Sequence, residues 1–383
     1  MNLCTYFIFY SYFCSVMLKK RYILAFFMLF ASLQIQAQKR SWIGRLLGTV
    51  RDFMDSATIS GIDSNYIVAP KQPWQLMARY NMNQMDIMMD SHFGGPADIS
   101  LTDLDISARI QTPVNHNVDL WVGYRGFGIG YSFETGPTNG SLFTISASGG
   151  VYSINLRLRN FKTNKVNAYI NGTDEGDRYD HWHRDVELAK PIHVRSLIID
   201  SYFMFNGERF SYCAAYDQSV MQIRSSGSFM VGAMWHDTKI SYDSDENASF
   251  IQAMHDIGSI NVMQGSLGAG YAYNWVPMRN MLVNVMCMPM VTIYNRQKMT
   301  FYDTNVDYDS ESYDNDYIHE RSSSMNNSGF MFMLNTRMSF TYYWKRTFFG
   351  VHGQWDRFPY DHGSGGSGSV TDWFVKAAFG VRF

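Results

Sequence analysis

Apolar and polar side chains alternate with a period of two along most of the chain after Trp74. The final segment shows the pattern most clearly, because one of its faces is apolar throughout: Trp373, Val375, Ala377, Phe379, Val381 and Phe383. The opposite face carries Lys376, Gly380 and Arg382. Successive side chains of a β-strand point to opposite sides of the sheet, so the pattern predicts an all-β fold.

Polar residues share one face of several other predicted strands. In the segment 152–159 apolar residues alternate with Ser153, Asn155, Arg157 and Arg159. Apolar and polar residues also alternate in the segment 330–342, where Arg337 lies on the polar face. Aromatic residues gather near segment ends: Tyr271, Tyr273, Trp275, Tyr342, Tyr343 and Trp344. A membrane-spanning barrel needs an apolar outside, a polar inside and aromatic girdles at the interfaces. The sequence therefore predicts an antiparallel transmembrane β-barrel over residues 74–383.

The connections between these segments are of two kinds, as the two sides of such a barrel require. Short turns are predicted at 277–280 and 343–346, and long polar loops at 242–257, 298–327 and 360–369. Counting strands back from a carboxy-terminus in the periplasm places the three long loops outside the cell. Arg125 and Gly126 either turn a hairpin or lie in one bent strand. Bacterial outer-membrane barrels have an even number of strands, so the segments predict about 12 strands, with 14 as the alternative.

The aromatic carboxy-terminal residue distinguishes this pattern from that of a soluble β-sandwich, which also alternates. Barrels delivered to the outer-membrane insertion machinery characteristically end on an aromatic side chain, and the chain ends at Phe383. We therefore expect two partners, the insertion machinery through this last strand and the lipids of the outer membrane.

The amino-terminal region has the pattern of an export signal. Basic residues at 19–21 precede the apolar stretch 22–30, and Ala37 supplies a small residue before a cut ahead of Gln38. Met17 directly precedes this leader, which predicts that translation starts there. Residues 1–37 are thus a predicted cleaved signal peptide, and a retained membrane anchor is the alternative. Cys4 and Cys14 would leave with the leader, in positions that predict no lipid anchor.

A short amphipathic helix is predicted after the leader. Trp42, Leu46, Val50 and Phe53 recur at helical spacing, and a linker through Pro70 and Pro73 follows. The helix has no basic face, which favours a periplasmic helix packed under the barrel over one lying on a membrane surface. Residues 38–73 are therefore predicted to be a periplasmic helix and linker.

Composition narrows the class of protein further. The chain has 383 residues, of which 46% are hydrophobic, and a formal net charge of −2. That balance argues against nucleic acid, whose recognition needs a basic stripe. Mean hydropathy is −0.21, and no apolar run of about 18 residues follows the leader, so a bundle of membrane-spanning helices is excluded. Cys213 and Cys287 lie in different segments that resemble strands, and the two make no disulfide framework.

Several segments resemble the domain of unknown function 4421 family of outer-membrane barrels. They are residues 206–218 and 222–228, together with 63–67, 121–133, 270–274 and the Phe383 ending. The resemblance covers nearly the whole predicted mature chain. It implies an outer-membrane β-barrel of a double-membraned bacterium, and it implies no activity.

One polar cluster could carry chemistry. Gln218, Gln222, Ser225 and Ser228 concentrate small polar side chains between strands, where they either line a site or form a turn. A serine with a histidine and a third polar group builds an acyl-transfer centre, but no spacing of histidine and serine here matches one. A lipid-acting hydrolase with a site near this cluster is the alternative to a protein without catalysis.

Metal sites and cofactors are not predicted. His181, His183 and His193 match no zinc signature and read as residues of a polar loop. An acidic loop lacks the glycine and terminal glutamate of a calcium-binding EF-hand: Asp303, Asp307, Asp309, Glu311, Asp314 and Asp316. The series Met286, Met288 and Met290 reads as flexible packing.

Six polar residues are the candidates to face the lumen: Arg157, Arg159, Arg337, His352, Gln354 and Asp356. They either line an open pore or fill a narrow barrel with ion pairs, and the second arrangement is favoured because narrow barrels pack their interiors. The function predicted from the sequence is a barrel without catalysis, either a narrow pore or a structural protein that presents surface loops.

Overall fold

A computed structural model describes residues 42–93, 104–112, 114–135, 139–174, 177–178, 182–253, 256–306, 317–326, 329–361 and 367–383. The predicted signal peptide, with Met17, Cys4 and Cys14, lies outside these residues. Helices in the described part are α1 (Trp42–Ile59), α2 (Tyr212–Tyr216) and α3 (Ala248–Ala253). Residues up to Ser56 belong to one unit and residues from Ala57 onward to a second, which contains the sheet.

The strands of the second unit account for most of its residues. They are β1 (Ile67–Val68), β2 (Trp74–Phe93), β3 (Leu104–Gln111), β4 (Asn115–Tyr124), β5 (Phe127–Glu134), β6 (Asn139–Ser148), β7 (Tyr152–Asp174), β8 (Asp177–Arg178), β9 (Trp182–Met204), β10 (Met221–Gln222), β11 (Ser226–Ser241), β12 (Ile257–Trp275), β13 (Met281–Asn305), β14 (Tyr317–Asn326), β15 (Met331–Trp344), β16 (Thr347–Asp361) and β17 (Ser367–Arg382).

Twelve of these strands close into a ring of antiparallel neighbours. The order is β12-β11-β9-β7-β6-β5-β4-β2-β17-β16-β15-β13, and β13 pairs again with β12. The predicted 12-strand antiparallel barrel with a short preceding helix is confirmed, and the 14-strand alternative is wrong. Tyr124 pairs with Phe127, so Arg125 and Gly126 turn a hairpin rather than continue a bent strand.

β3 bridges the gap that the short strands β4, β5 and β6 leave between β2 and β7 at one end of the barrel. The first half of β2 pairs with β4, whereas its second half, from Asp86 to Phe93, pairs with β3. β3 also pairs with the far part of β7, at Asn167 to Thr173. β3 therefore takes the place of three strands at that end of the barrel.

The two ends of the barrel differ in their connections. The end that carries Phe383, called the turn end below, has tight turns at Arg125 and at Lys345, where φ is 55° in both cases. Apart from residues 205–225, which connect β9 to β11 at the turn end, the longer connections lie at the opposite end. There the structure differs from the predicted loops: β13 continues to Asn305 and pairs with β14, and the stretch after β11 contains α3.

The side chains alternate between the outer surface of the barrel and the lumen, as the sequence predicts. In β15, Phe332, Met338 and Trp344 are exposed, whereas Met333 and Arg337 are buried. In β17 the exposed apolar residues are Val375, Phe379 and Val381. A closed sheet with an outward apolar and aromatic surface is the architecture of a membrane-spanning barrel. Among the described helices, none has the length and apolar character needed to cross a membrane.

Candidate functional site

The connection between β9 and β11 does not form a short turn but enters the barrel. Residues 205–225, called the inserted segment below, start and end at the turn end and include α2. All five residues of α2 are buried. Ser211 begins the helix, because its side chain accepts a hydrogen bond from the Ala214 N–H at 3.1 Å.

Tyrosine hydroxyls connect the inserted segment to the barrel wall. Arg337 of β15 donates a hydrogen bond to the Tyr212 hydroxyl. The Tyr216 hydroxyl donates to Asn284 Oδ1 of β13 at 2.6 Å, and the Tyr343 hydroxyl donates to the α2 backbone at 2.7 Å. The contacts fix the helix against β13 and β15.

The carbonyl of Gln218 is held by two further strands. It accepts hydrogen bonds from Gln75 Nε2 of β2 at 2.9 Å and from Arg382 Nη2 of β17 at 2.5 Å. The guanidinium of Arg382 lies over the rings of Tyr343 and Phe348, with 5.1 and 4.9 Å to the ring centroids. These contacts bind the inserted segment to β2 and β17, in addition to β13 and β15.

The predicted polar cluster has structural contacts. Gln222 Oε1 accepts from the Ser211 N–H, and its Nε2 donates to the Arg209 carbonyl. Ser225 Oγ accepts from the Val276 N–H at 2.9 Å, and Ser228 Oγ donates to the Phe229 carbonyl at 2.7 Å. Within the described residues no histidine is hydrogen-bonded to either serine. The cluster caps backbone groups of the inserted segment and its neighbours.

Residues 63–68, called the strap below, contact the inserted segment through backbone and side-chain groups. β1 pairs with β10, through Ile67 opposite Gln222. The Asp63 N–H donates to the Glu208 carbonyl at 2.8 Å, and the Asp63 carboxylate lies 3.5 Å from Arg209. The backbone and side-chain hydrogen bonds from Asn65 lower the pKa of Asp63. The strap thus ties the chain before the barrel to the inserted segment.

An ion-pair network fills the lumen beside α2. Arg157 Nη2 lies 3.5 Å from a carboxylate oxygen of Asp200 and 3.5 Å from one of Asp356. Arg337 Nη2 lies 3.0 Å from the same Asp200 oxygen. Gln354 Nε2 donates to Asp356 at 2.5 Å. Four of the six predicted lumen residues therefore meet in one network, and Asp200 is a member that the sequence analysis missed.

The remaining predicted lumen residues lie beside this network. Arg159 forms a separate ion pair with Asp372, with 2.8 Å between Nη1 and Oδ1. His352 packs edge-on against the rings of Tyr216 and Phe374, at centroid distances of 6.0 and 5.6 Å.

Further charged residues of the lumen were not among the candidates. Arg79 pairs with Asp119, and Ser132 donates to Asp119 at 3.1 Å. Lys376 is 6% exposed, and its ammonium lies 5.4 Å from the Phe374 ring centroid. Lys376 stands on the polar face of the last strand, so alternation alone could have identified it.

Two cavities lie within the network. The larger, of about 70 Å³, is bordered by Tyr212, Tyr216 and Asp217 of the inserted segment as well as by the wall. The smaller, of about 30 Å³, lies around Arg159 and Asp372. Burial raises the pKa of Asp217, which follows α2 outside the strands, to about 6.

The histidines and acidic residues considered as metal ligands are dispersed. His183 and His193 lie in β9 and not in a loop as predicted, and His193 Nε2 is 2.7 Å from Asn160 Oδ1. Asp303 belongs to β13. His181 lies outside the described residues, as do Asp307, Asp309, Glu311, Asp314 and Asp316. The described part of the chain contains no cluster of three or more histidine, cysteine or acidic residues suited to a metal.

The methionine series faces the lumen. Met286, Met288 and Met290 are buried, whereas Val285 and Cys287 between them are exposed. A Cβ at Gly270 would lie 2.7 Å from the Met288 Cα, so a glycine is needed for the close approach of the two strands. The methionines pack against the neighbouring strands.

Comparison with known families and structures gives the following matches. A family model described as "Domain of unknown function (DUF4421)" matches residues 61–383. No curated protein sequence matches the chain. The outer membrane protease OmpT from Escherichia coli is 9% identical, with 82% of this chain and 98% of that chain covered and a TM-score of 0.36. OprG from Pseudomonas aeruginosa is 10% identical, with 82% and 97% covered and a TM-score of 0.25. The β domain of the Bordetella autotransporter BrkA is 8% identical, with 80% and 100% covered and a TM-score of 0.28.

Proposed function

Because the chain belongs to the domain of unknown function 4421 family, whose description names no activity, we propose from its structure that it is a non-catalytic outer-membrane barrel that its own inserted segment keeps closed at rest. Of the two roles predicted from the sequence, an open narrow pore and a structural protein with surface loops, the closed state favours the second.

The complete burial of α2 inside the ring carries this proposal. An open pore needs a continuous aqueous path, and the lumen of a 12-strand barrel is narrow enough for side chains and one inserted helix to block it. Tyr212 and Tyr216 project from α2 to the wall, and the ion pairs of Arg157 and Arg337 fill the space beside it. Ions would have to displace the helix or these ion pairs to cross.

The orientation follows from the two ends of the barrel. Outer-membrane barrels have short turns at the periplasmic side and longer loops outside. The turn end with Phe383 is therefore proposed to face the periplasm, so the inserted segment enters from that side. The β13–β14 hairpin then projects from the cell surface. Outer-membrane lipids contact the apolar outer face, and the insertion machinery recognises the last strand.

Among the described residues, no contact supports the hydrolase alternative. An acyl-transfer serine needs a base within hydrogen-bond reach, at about 2.6–3.2 Å. Ser225 and Ser228 instead bind backbone groups of Val276 and Phe229.

Conductance in planar lipid bilayers tests the closed state. We expect the wild-type protein to insert without steady current, and a variant in which a Gly-Ser turn replaces residues 206–224 to give discrete openings. A matched control replaces residues 243–256, at the opposite end, with the same turn and should stay silent. Heat-modifiable mobility on gels verifies that each variant is assembled. Steady current through the wild-type protein contradicts the proposal, and so does a silent but assembled variant without residues 206–224.

A further inference from the structure

Five polar residues form one row across neighbouring strands of the barrel. Asn160 of β7 lies opposite Arg195 of β9, and Arg195 lies opposite Lys239 of β11. Lys239 lies opposite Asn261 of β12, which in turn lies opposite Lys298 of β13. Directly opposite residues of adjacent strands share one face of the sheet, and strands are about 4.8 Å apart, so the row is about 19 Å wide. These five residues are called the basic row below.

The cations of the basic row point away from the lumen and lack counter-ions. Arg195, Lys239 and Lys298 are exposed. Among the residues that the structure describes, none of the three forms an ion pair or a side-chain hydrogen bond. The chain neighbours of each are buried in the lumen: Val194 and Ser196, Thr238 and Ile240, and Gln297 and Met299. The positive charge of the row is therefore presented on the outer face of the barrel.

The rows on either side do not cancel this charge. The next row toward the turn end contains one carboxylate, Asp237, and one cation, Arg296. The next row toward the opposite end, called the loop end below, adds the cation Lys162. Over these three rows, five cations therefore stand against one carboxylate. Two carboxylates beyond them, Glu187 and Asp243, already accept hydrogen bonds from other side chains.

The arrangement of the basic row is unfavourable without an anion. Arg195 and Lys239 lie directly opposite each other, and like charges in that position destabilise a sheet. Their other partners across the sheet are Asn160 and Asn261, which carry no charge. A phosphate is an anion with several acceptor oxygens, to which guanidinium and ammonium groups donate charge-assisted hydrogen bonds. A phosphate between Arg195 and Lys239 would replace their repulsion with two such bonds.

An apolar surface begins beside the basic row, on its turn-end side. Trp235 precedes Lys239 by four residues in β11 and stacks on Tyr294 of β13, with 5.4 Å between the ring centroids. Aromatic side chains of membrane-spanning barrels concentrate at the membrane interface. Further exposed apolar residues of the same strands follow toward the turn end: Leu158, Phe203, Phe229, Val231, Leu267 and Val285. A molecule with a phosphate at the basic row therefore has a surface for acyl chains directly below it.

We propose that the basic row is a binding site for a phosphorylated lipid in the leaflet at the loop end. Arg195 and Lys239 bind one phosphate, and Lys298 binds a second phosphate or a neighbouring lipid. The acyl chains lie on the apolar surface that starts at Trp235 and Tyr294. A free phosphate would gain only the first of these contacts.

This site rests on the membrane placement given under the proposed function, and it does not depend on closure of the lumen. A conducting barrel that binds the lipid and a silent barrel that does not are distinguishable results, because conductance and lipid binding are measured separately.

Native mass spectrometry of the assembled, detergent-solubilised barrel tests the site by titration with diphosphoryl lipid A. We expect the combined variant Arg195→Gln, Lys239→Gln and Lys298→Gln to bind this lipid about tenfold more weakly than wild type, because it lacks the charged donors. The control variant, Arg279→Gln, Lys345→Gln and Arg346→Gln, removes the same charge from exposed residues at the turn end and should match wild type. Lipid A without phosphates but with the same acyl chains should bind weakly and equally to all three proteins.

Each outcome bears on the proposal. Equal binding of diphosphoryl lipid A by wild type and the basic-row variant overturns it. An equal loss in the turn-end control overturns it as well, because net charge alone would then explain the loss. Equal affinity of wild type for the two forms of lipid A excludes a phosphate site, and displacement by inorganic phosphate at the same concentration excludes a lipid site. If the combined variant does not assemble, Lys239→Gln alone should still weaken binding, and unchanged binding by that variant overturns the proposal.

Discussion

Arg382, next to the last residue of the chain, donates a hydrogen bond to the carbonyl of Gln218, 164 positions earlier, at 2.5 Å. Its side chain lies in the lumen at 1% exposure, whereas its neighbours Val381 and Phe383 are on the outer face. The last strand therefore has two roles: one face meets the lipid, and the other holds the inserted segment in place.

Removal of this contact should loosen the inserted segment without unfolding the barrel. Hydrogen bonds to charged groups contribute about 1.5–3 kcal/mol, and Gln75 still donates to the Gln218 carbonyl in Arg382→Met. We expect a lower temperature for conversion of the heat-modifiable band and brief openings in bilayers. Arg346→Met, at an exposed arginine of the same end, is the control. Equal behaviour of the two variants would show that Arg382 does not hold the segment.

The strap should protect the inserted segment from proteolysis. Ile67 is 1% exposed and lies opposite Gln222, whereas Val68 next to it is 39% exposed. Truncation of a buried isoleucine to alanine lowers stability by about 2–5 kcal/mol. Ile67→Ala should therefore weaken the binding of the strap to the inserted segment. We expect trypsin to cut at Arg209 and Arg224 faster in Ile67→Ala than in wild type, while Val68→Ala matches wild type. Equal cleavage rates of Ile67→Ala and wild type would show that the strap does not hold the inserted segment in place.

Phe383 should act in assembly more than in membrane burial. A charge on the lipid face near an interface costs only about 0–1 kcal/mol, so Phe383→Asp would survive if burial alone mattered. We expect instead a large loss of assembled protein for Phe383→Asp and for deletion of Phe383, and a mild effect of Phe383→Tyr. The heat-modifiable fraction on gels measures assembly. Wild-type assembly of all three variants would exclude a role of this residue as an insertion signal.

The β13–β14 hairpin should be accessible from outside the cell. An epitope inserted between Asn305 and Tyr317 is expected to be labelled by antibody on intact cells. The control epitope, placed at the turn between Trp344 and Thr347, should be labelled only after permeabilisation. The opposite pattern would reverse the orientation of the barrel.

Side-chain alternation predicted the barrel, because a period of two is a local property of each strand. It also placed Arg157 and Arg337 on the polar faces. Their shared partner Asp200 lies on β9, and Arg159 meets Asp372, which is 213 positions away. Such pairs depend on the register around the closed ring, which no single strand encodes.

Two features were beyond prediction for physical reasons. A membrane-spanning strand needs about 9–11 residues, whereas β9 has 23 and β13 has 25. Their polar ends therefore resembled loops, and His183, His193 and Asp303 were assigned to loops. The helix α2 has five residues, which is too short for helical periodicity to appear in the sequence. Its burial depends on contacts with distant strands, such as that of Tyr216 with Asn284.

The reactivity of Cys213 tests most directly whether α2 remains inside the lumen. Cys213 is 1% exposed in α2, and burial raises the pKa of its thiol, which suppresses the reactive thiolate. The protein is expressed without residues 1–37, carries Cys287→Ser, and is refolded into liposomes with a membrane-impermeant maleimide on both sides. A Cys213→Ser, Ser64→Cys variant supplies an exposed thiol as the control. The account predicts that the control reacts at once, and that Cys213 reacts only after heat unfolds the barrel. Labelling of Cys213 in the folded barrel as fast as that of the control would contradict it.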